Sequence, residues 1–313
     1  MLKQNLGKSA AEVSELTLGT WVFGGDGWSG AREQESLDAV ACALDLGITA
    51  IDTAPIYGNG AAEEIVGKAV EGRRDQVFIA TKCGLVKGDR GIKCCLKGNS
   101  IREEIEESLR RLRTDYIDLY QCHWPDNETP VEETMAALNR LKQEGKIRYI
   151  GMSNFSVTRL KEAMAFGEVV SNQVQYSMLD RSIEPETIGF CRENGVGLLA
   201  YGPLAGGVLS GKYHEPKKFP KGDARNFFYK FYEGDPFMKA HKLLRGLKEE
   251  FRKPLAQIAI NWVRQQPGVL SVLIGCRNTQ QVQDNAAAVN WQLKDMELEK
   301  IGDLLRETIP AAS

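Results

Sequence analysis

The stretch GITAIDTAPIYGNGAAEEIVGKAV, at residues 47–70, contains one complete unit of a strand, a loop and a helix. Residues 48–52 form a short apolar run that predicts a strand, and residues 62–70 carry apolar side chains at helical spacing. Asp52 ends the predicted strand, and Tyr57 lies in the loop that follows it. The fold of the whole chain depends on how often this unit recurs.

The unit recurs along all 313 residues, where apolar strand-like runs alternate with segments of helical periodicity. Such alternation favours parallel strands, and strands that are apolar nearly throughout are expected where helices cover a sheet. Eight units predict an α/β fold in which residues 1–313 form a single domain, a closed (β/α)8 TIM barrel. The eight predicted strands lie at residues 16–21, 48–52, 76–82, 116–123, 147–154, 169–175, 196–201 and 269–275.

Two segments interrupt this pattern. Residues 2–14 are predicted to form a hairpin that closes one end of the barrel. Residues 203–235, after the seventh strand, form a long irregular loop with the aromatic stretch NFFYKFY at 226–232. Loops of this length often cover a binding site. The aromatic stretch is equally suited to cover a substrate or cofactor, to pack against the barrel, or to join copies in a homo-oligomer.

The composition is that of an ordinary globular protein, with 42% hydrophobic and 26% charged residues and a net charge of −2. The near-neutral charge argues against nucleic-acid binding, and no apolar run reaches the roughly 20 residues of a membrane helix. The seven cysteines are scattered and the N-terminus lacks the apolar core of a signal peptide, which together predict a cytoplasmic protein. The three histidines lack metal-site spacing, so no metal is predicted.

Four ionisable residues of four types stand at or just past consecutive strand ends, where α/β barrels carry their active sites. Asp52 ends the second predicted strand and Tyr57 follows it, while Lys82 and His123 end the third and fourth. Neighbouring parallel strands are about 4.8 Å apart, so these side chains can converge. Each residue alone would more often be structural, and the agreement of three strand ends is what makes the set specific.

These four residue types suit general acid–base catalysis. A nearby Lys82 ammonium would lower the pKa of the Tyr57 phenol from its usual value of about 10. A buried Lys82 needs a counter-charge, which Asp52 can supply. His123 can hydrogen-bond a substrate carbonyl oxygen and polarise it. The sequence therefore predicts catalytic roles for Asp52, Tyr57, Lys82 and His123.

With IATK at 79–82, QCHWPD at 121–126, YIGMSNF at 149–155 and SNQVQYS at 171–177, the stretch quoted above resembles the aldo-keto reductase family over essentially the whole chain. The nearest likeness is to its bacterial-type branch, which is similar to potassium-channel β subunits. The resemblance implies NADPH-dependent reduction of a small aldehyde or ketone to the alcohol. The resemblance also implies that Tyr57 is the proton donor, that Lys82 and Asp52 tune the acidity of Tyr57, and that His123 orients the substrate.

The resemblance also implies cofactor contacts. Ser153, Asn154 and Gln173 match residues that bind the nicotinamide carboxamide, and Tyr201 matches the aromatic residue that stacks on the nicotinamide ring. The eighth strand is followed by a G-x-R-x3-Q-x3-N pattern, which in the family holds the adenosine and its 2′-phosphate. The predicted cofactor-binding residues are Thr20, Trp21, Asp52, Ser153, Asn154, Gln173, Tyr201, Gly202, Pro203, Leu204, Gly275, Arg277, Gln281 and Asn285.

Cofactor preference and substrate are less strongly indicated. Arg277 carries the forked cation that a phosphate prefers, which favours NADPH over NADH. Gly275 and Gln281 stand where some branches of the family place a second cation, which weakens that preference. The chain ends soon after its last helix, which favours small polar carbonyls, including sugar-derived ones, over steroids. The predicted substrate pocket consists of Trp21, Phe23, Trp28, Tyr57, His123 and Trp124.

Three alternatives remain beside this prediction. Residues 25–30 spell G-x-G-x-x-G after a strand, as in a Rossmann dehydrogenase, although the helical pattern starts only near Arg32. Tyr213 and Lys217 have the spacing of a short-chain dehydrogenase pair, although Pro216 makes a helix there improbable. The fold could also serve as a regulatory NADP(H)-binding module that does not turn over, as potassium-channel β subunits exemplify.

Overall fold

The computed structural model describes residues 1–25, 32–88 and 91–309. Its strands in these ranges are β1 (Lys3–Asn5), β2 (Glu12–Ser14), β3 (Leu16–Gly19), β4 (Ala50–Asp52), β5 (Phe78–Cys83), β6 (Leu85–Gly88), β7 (Gly91–Cys94), β8 (Ile117–Cys122), β9 (Ile147–Ser153), β10 (Ser171–Gln175), β11 (Gly197–Tyr201) and β12 (Val269–Gly275). Its α-helices there are α1 (Glu33–Asp45), α2 (Ala61–Ala69), α3 (Gly98–Leu112), α4 (Val131–Gln143), α5 (Val157–Met164), α6 (Thr187–Asn194), α7 (Arg225–Phe228), α8 (Gly234–Glu250), α9 (Leu255–Arg264), α10 (Thr279–Ala286) and α11 (Asp295–Thr308).

Eight parallel strands close into a barrel in the order β10-β11-β12-β3-β4-β5-β8-β9. They are the eight strands predicted from the sequence, so the predicted (β/α)8 barrel is confirmed. Helices cover the outside, and strands such as β4 and β8 are buried along their whole length. This two-sided burial explains why apolar residues occur in succession in these strands, as in Ala50-Ile51 and Leu119-Tyr120.

The N-terminal hairpin forms as predicted, with β1 antiparallel to β2. Leu6 and Val13 are almost fully buried and share an apolar cluster with Ala50, Ala80 and Leu119 of the barrel strands. A second, larger cluster joins the other faces of the strands to the surrounding helices. The hairpin therefore packs against the inward-facing side chains, and burying a leucine in such a place contributes about 1.5–3 kcal/mol.

Two features of the fold were not predicted. Strands β6 and β7 form an antiparallel hairpin directly after β5, in a segment whose glycines and lysines suggest only a loop. The long connection after β11 contains a 3-10 turn at Ala205–Ser210 and the short helix α7. Of the helices in the described part of the chain, none combines the length and the apolar character needed to cross a bilayer.

Candidate active site

The four predicted catalytic side chains meet at the carboxyl end of the barrel. The Lys82 Nζ atom lies 2.6 Å from Asp52 Oδ1 and 3.3 Å from the Tyr57 hydroxyl, and it donates to the Thr53 carbonyl at 3.0 Å. The His123 ring stands edge-on to the Tyr57 ring, with 5.8 Å between the centroids. Lys82 is completely buried and Asp52 is 3% exposed, so this ion pair is shielded from water.

Strand register explains the convergence. Residues two apart on a strand point to the same side, and Ala80 and Leu119 belong to the cluster inside the barrel. Lys82 and Gln121, two residues further along β5 and β8, therefore also point inward, and they are paired neighbours. His123 follows by the same period of two.

Two glutamines complete the surroundings of the Asp52 carboxylate. Its Oδ2 atom accepts hydrogen bonds from Gln173 Nε2 at 2.7 Å and from Gln121 Nε2 at 3.2 Å. Gln173 was predicted only as a cofactor contact, and Gln121 was not predicted at all. The position of Gln121 two residues before His123 is the signal that could have identified it. Together the amides fix the carboxylate so that its other oxygen faces Lys82.

The electrostatics differ from the expectation at one point. Burial, followed by the charge of Asp52, holds the pKa of the Tyr57 phenol well above its usual value. The sequence analysis expected the Lys82 ammonium to lower it. That expectation was wrong for this arrangement because Asp52 already pairs with Lys82, leaving little net positive charge beside the phenol. The Tyr57 hydroxyl therefore keeps its proton at neutral pH.

Burial also shifts the two basic groups. It lowers the pKa of Lys82, while the Asp52 carboxylate acts in the opposite direction. Burial and then the Lys82 charge hold the pKa of His123 well below its usual value. His123 is therefore neutral at physiological pH, and it can donate a hydrogen bond to a carbonyl oxygen without bringing a second full charge into the site.

The loop that carries Tyr57 is fixed by a close backbone approach. A Cβ atom on Gly24 would lie 2.4 Å from the Gly58 nitrogen, so only glycine fits there. Gly58 also adopts a left-handed φ of 60°, which favours glycine. On the other side of this approach, the Trp21 ring stacks on the Tyr57 ring, with 5.9 Å between centroids. The Phe228 ring, from α7, meets the edge of Trp21 at 5.2 Å.

A cavity of about 1090 Å³ opens above these residues. All fourteen predicted cofactor positions line it, as do Trp21, Tyr57, His123 and Trp124 of the predicted substrate pocket. Phe23 does not line it, because this side chain is 4% exposed and packs in the outer hydrophobic core. Trp28 lies outside the described residues. Lys82 does not line the cavity itself, and its partners Tyr57 and Asp52 do.

The donor set of this cavity fits a dinucleotide cofactor. After β11 the backbone turns through Gly206 and Gly207, with φ of 70° and 108°, and both glycines line the cavity. The Tyr201 hydroxyl donates to Asn154 Oδ1 at 2.9 Å, which holds the aromatic ring next to the amide. Asn154 has a left-handed φ of 62°, a strained conformation for a residue with a side chain.

At the other end of the cavity, the start of α10 presents the predicted phosphate-binding residues. The Asn278 side chain caps the helix by accepting from the Gln281 backbone N–H at 3.0 Å. Gln281 Oε1 accepts in turn from the Arg277 backbone N–H at 3.0 Å. Phe227, Phe228 and Tyr229 of the aromatic stretch at 226–232 also line the cavity, in line with its reading as a cover. Sequence reasoning missed several further residues that line it, for which no motif gave a signal: Leu85, Lys87, Ile92, Lys212, Arg225 and Lys253.

Neither of the other dehydrogenase motifs has the structure that it needs. Shortly after β3, Trp21–Phe23 form a 3-10 turn, and the sheet is a closed barrel instead of the open sheet of a Rossmann domain. Most of residues 25–30 lie outside the described ranges. Tyr213 and Lys217 do not share a helix in the described chain, and the Lys217 backbone N–H donates instead to the Tyr232 carbonyl.

Comparisons with known proteins identify the family of this chain. A sequence profile of the Aldo/keto reductase family matches residues 15–306. The aldo-keto reductase YhdN of Bacillus subtilis is 37% identical, covering 97% of this chain and 94% of the relative. The NADH-specific methylglyoxal reductase of Escherichia coli is 36% identical, covering 99% of both chains. The structure of the glycerol dehydrogenase AKR11B4 from Gluconobacter oxydans superposes with a TM-score of 0.89 at 33% identity, covering 99% of this chain and 97% of that one. This chain is a member of the aldo/keto reductase family.

Proposed function

We propose that this protein is a cytoplasmic reductase that uses NADPH to convert a small aldehyde or ketone into its alcohol. The observation that carries the proposal is the contact of the Tyr57 hydroxyl with Lys82, beside the neutral His123 ring and at the surface of the cavity. A protonated phenol next to a neutral hydrogen-bond donor is what the reduction of a carbonyl group requires. All seven cysteines are free thiols, which suits the cytoplasm.

The residues divide the chemistry among them. A bound nicotinamide dinucleotide supplies the hydride. His123 and Tyr57 would hydrogen-bond the carbonyl oxygen and orient it, and Tyr57 would donate its proton as negative charge develops on that oxygen. Lys82 would then stabilise the resulting phenolate, and Asp52 keeps Lys82 charged and in place. Ser153 and Asn154 would hold the carboxamide end of the cofactor, and Tyr201 would stack on its ring.

NADPH is proposed over NADH because of the end of the cavity next to α10. Arg277 provides a planar cation suited to a 2′-phosphate, and Lys253 lines the same cavity. The Lys253 segment lies against α10, because the Gln257 side chain donates to the Asp284 carbonyl at 2.9 Å. Asp284 also lines the cavity, and its carboxylate would oppose a phosphate. The E. coli relative is named as NADH-specific, so the preference has to be measured.

The test is cofactor oxidation with NADPH and with NADH against a panel of small aldehydes, ketones and oxidised sugars. The panel covers the small polar carbonyls that we propose as substrates. Wild-type turnover combined with loss of the rate in Tyr57→Phe, at unchanged cofactor affinity, would support the proton-donor role. Arg277→Met should raise the KM for NADPH and leave that for NADH unchanged. Tight cofactor binding without turnover of any substrate would refute the reductase and favour a regulatory module.

A further inference from the structure

The hairpin of β6 and β7 contributes one face to the cavity. Leu85 pairs with Cys94 and Lys87 pairs with Ile92, so the four residues lie on the same side of the two-stranded sheet. Leu85, Lys87 and Ile92 all line the cavity. The hairpin therefore directs two apolar side chains and one cation toward the space above the catalytic residues.

The other face of the hairpin points away from the cavity. Lys93 pairs with Val86, which alternates with Lys87 along β6. A Cβ atom on Gly88 would lie 3.5 Å from Lys93 Cδ, so the Lys93 side chain covers the Gly88 side of the hairpin. Lys87 and Lys93 thus have the same charge and similar exposure, but only Lys87 lines the cavity.

Lys87 is far from the part of the cavity that suits the cofactor phosphates. In the barrel order, three strands separate β5 from β11 in either direction, so the hairpin after β5 stands opposite the glycine loop after β11. Arg277 follows β12, the neighbour of β11. The cations on that side face the cofactor, whereas Lys87 stands on the side of His123 and Trp124, which follow the adjacent strand β8.

In the part of the chain that the structure describes, no acidic group balances Lys87 at this side of the cavity. Among the described residues that line the cavity, the carboxylates are Asp52, which is paired with Lys82, and Asp284, which belongs to α10. Within the described ranges, Lys87 itself makes no hydrogen bond or ion pair. The Asp126 carboxylate, in the loop after β8, does not line the cavity and is occupied by the backbone of Leu96 and the hydroxyl of Thr129.

We propose that Lys87 determines substrate specificity by binding an anionic group at the end of the substrate remote from the carbonyl. The inference rests on the proposed reductase function and names its substrate class: short aldehydes or ketones that end in a carboxylate or a phosphate. Leu85 and Ile92 would contact the carbon chain between the two ends. An ammonium suits either anion as a point charge, so the residue alone favours neither.

The test compares matched substrates in three forms of the protein. The substrates are succinic semialdehyde with butanal for the carboxylate, and glyceraldehyde 3-phosphate with glyceraldehyde for the phosphate. The proteins are wild type, Lys87→Met and the control Lys93→Met. In wild type we expect a KM about five- to tenfold lower for the anionic member of at least one pair, as a hydrogen-bonded charge pair provides. The pair that shows the effect identifies the anion.

Lys87→Met should abolish that difference and leave kcat for the neutral member unchanged, whereas Lys93→Met should behave as wild type. The KM of the anionic substrate should also rise with salt in wild type and not in Lys87→Met. Turnover of the neutral substrates without any preference, or an equal loss in both lysine variants, would overturn this inference and leave the reductase intact. If none of the four substrates were turned over, both this inference and the proposed reductase function would be overturned.

Discussion

Breaking the buried pair between Asp52 and Lys82 should cost more stability than removing the pair as a whole. In Asp52→Asn, Lys82 would lose its counter-charge in a fully buried position, where its other partners are the Thr53 carbonyl and the Tyr57 hydroxyl. The new amide nitrogen would also face a glutamine nitrogen, Gln173 Nε2, which now donates to Asp52 at 2.7 Å. In Lys82→Met, by contrast, the Asp52 carboxylate would keep both glutamine donors.

These contacts set the order of the effects. Removing one partner of a buried ion pair costs about 3–5 kcal/mol, because the remaining charge has no counter-ion. We expect Asp52→Asn at the upper end of this range and Lys82→Met at the lower end. The double variant Asp52→Asn/Lys82→Met leaves no buried charge in the pair, so it should be no less stable than Asp52→Asn alone. The single costs then sum to about 8 kcal/mol and the double variant costs at most about 5, so the implied coupling free energy is at least about 3 kcal/mol, the upper end of the range for residues in direct contact.

Urea unfolding of wild type, the two single variants and the double variant measures this coupling. The change in the free energy of unfolding for the double variant would refute the reasoning if it equalled the sum of the single changes within about 0.5 kcal/mol. Activity is a separate readout, since all three variants lack part of the catalytic set. A matched comparison is the exposed pair of Lys142 and Glu168, where the same cycle should give at most about 1 kcal/mol.

Three further predictions concern pH and the loop of Tyr57. Because burial and Asp52 raise the pKa of Tyr57, carbonyl reduction needs a group that stays protonated above neutral pH, whereas alcohol oxidation needs its deprotonated form. The reduction rate should therefore be flat from about pH 6 to 8 and the oxidation rate should rise with pH, and a reduction rate that halves over this interval would contradict the assignment. Burial raises the pKa of Glu104 from 4.5 to about 7, so its folded form favours the proton and loses stability as pH rises between these values. Thermal unfolding should show Glu104→Gln gaining up to about 3 kcal/mol relative to wild type between pH 4.5 and pH 8, and a constant difference would count against it. Gly24→Ala should lower kcat about tenfold or more, because the added Cβ would displace Gly58 and with it Tyr57. The control Gly189→Ala, with no atom within 4 Å of the added Cβ, should leave kcat unchanged. Equal kcat values in the two variants would show that the close approach of Gly24 and Gly58 does not position Tyr57.

The barrel and the convergence of the four ionisable groups could be predicted because both depend on local pattern. Each strand reads as an apolar run, and a residue at its carboxyl end has its position fixed by the run before it. The convergence of Asp52, Lys82 and His123 could therefore be predicted from the strand ends alone, without information about contacts. The cavity lining by Arg277 and Tyr201 followed from the family resemblance, because an isolated arginine or tyrosine after a strand has no distinctive spacing of its own.

The remaining errors come from effects that no local pattern contains. The direction of the pKa shift of Tyr57 depends on burial and on how far Asp52 offsets Lys82, and both are properties of the assembled site. Phe23 shares its loop with Trp21 but turns into the core, because aromatic residues in a short loop can face either way. Lys87 could not be recognised because β6 and β7 are only four residues long and each contains a glycine and a lysine, so no apolar alternation indicates these strands.

At the carboxyl ends of the barrel strands, side chains alternate between the catalytic site inside the barrel and the hydrophobic core outside it. Lys82 points into the barrel, whereas Cys83, the next residue, packs in the outer core beside Cys122, its paired neighbour on β8. The interaction with the Cys122 thiol, and then burial, hold the pKa of Cys83 well above its usual value, so this thiol is neutral and unreactive at physiological pH. The adjacent residues Lys82 and Cys83 on β5 are therefore constrained differently, the first by charge and the second by packing. A volume-conserving change at Cys83 is felt through packing against the helices, while a change at Lys82 is felt through the charge beside Tyr57.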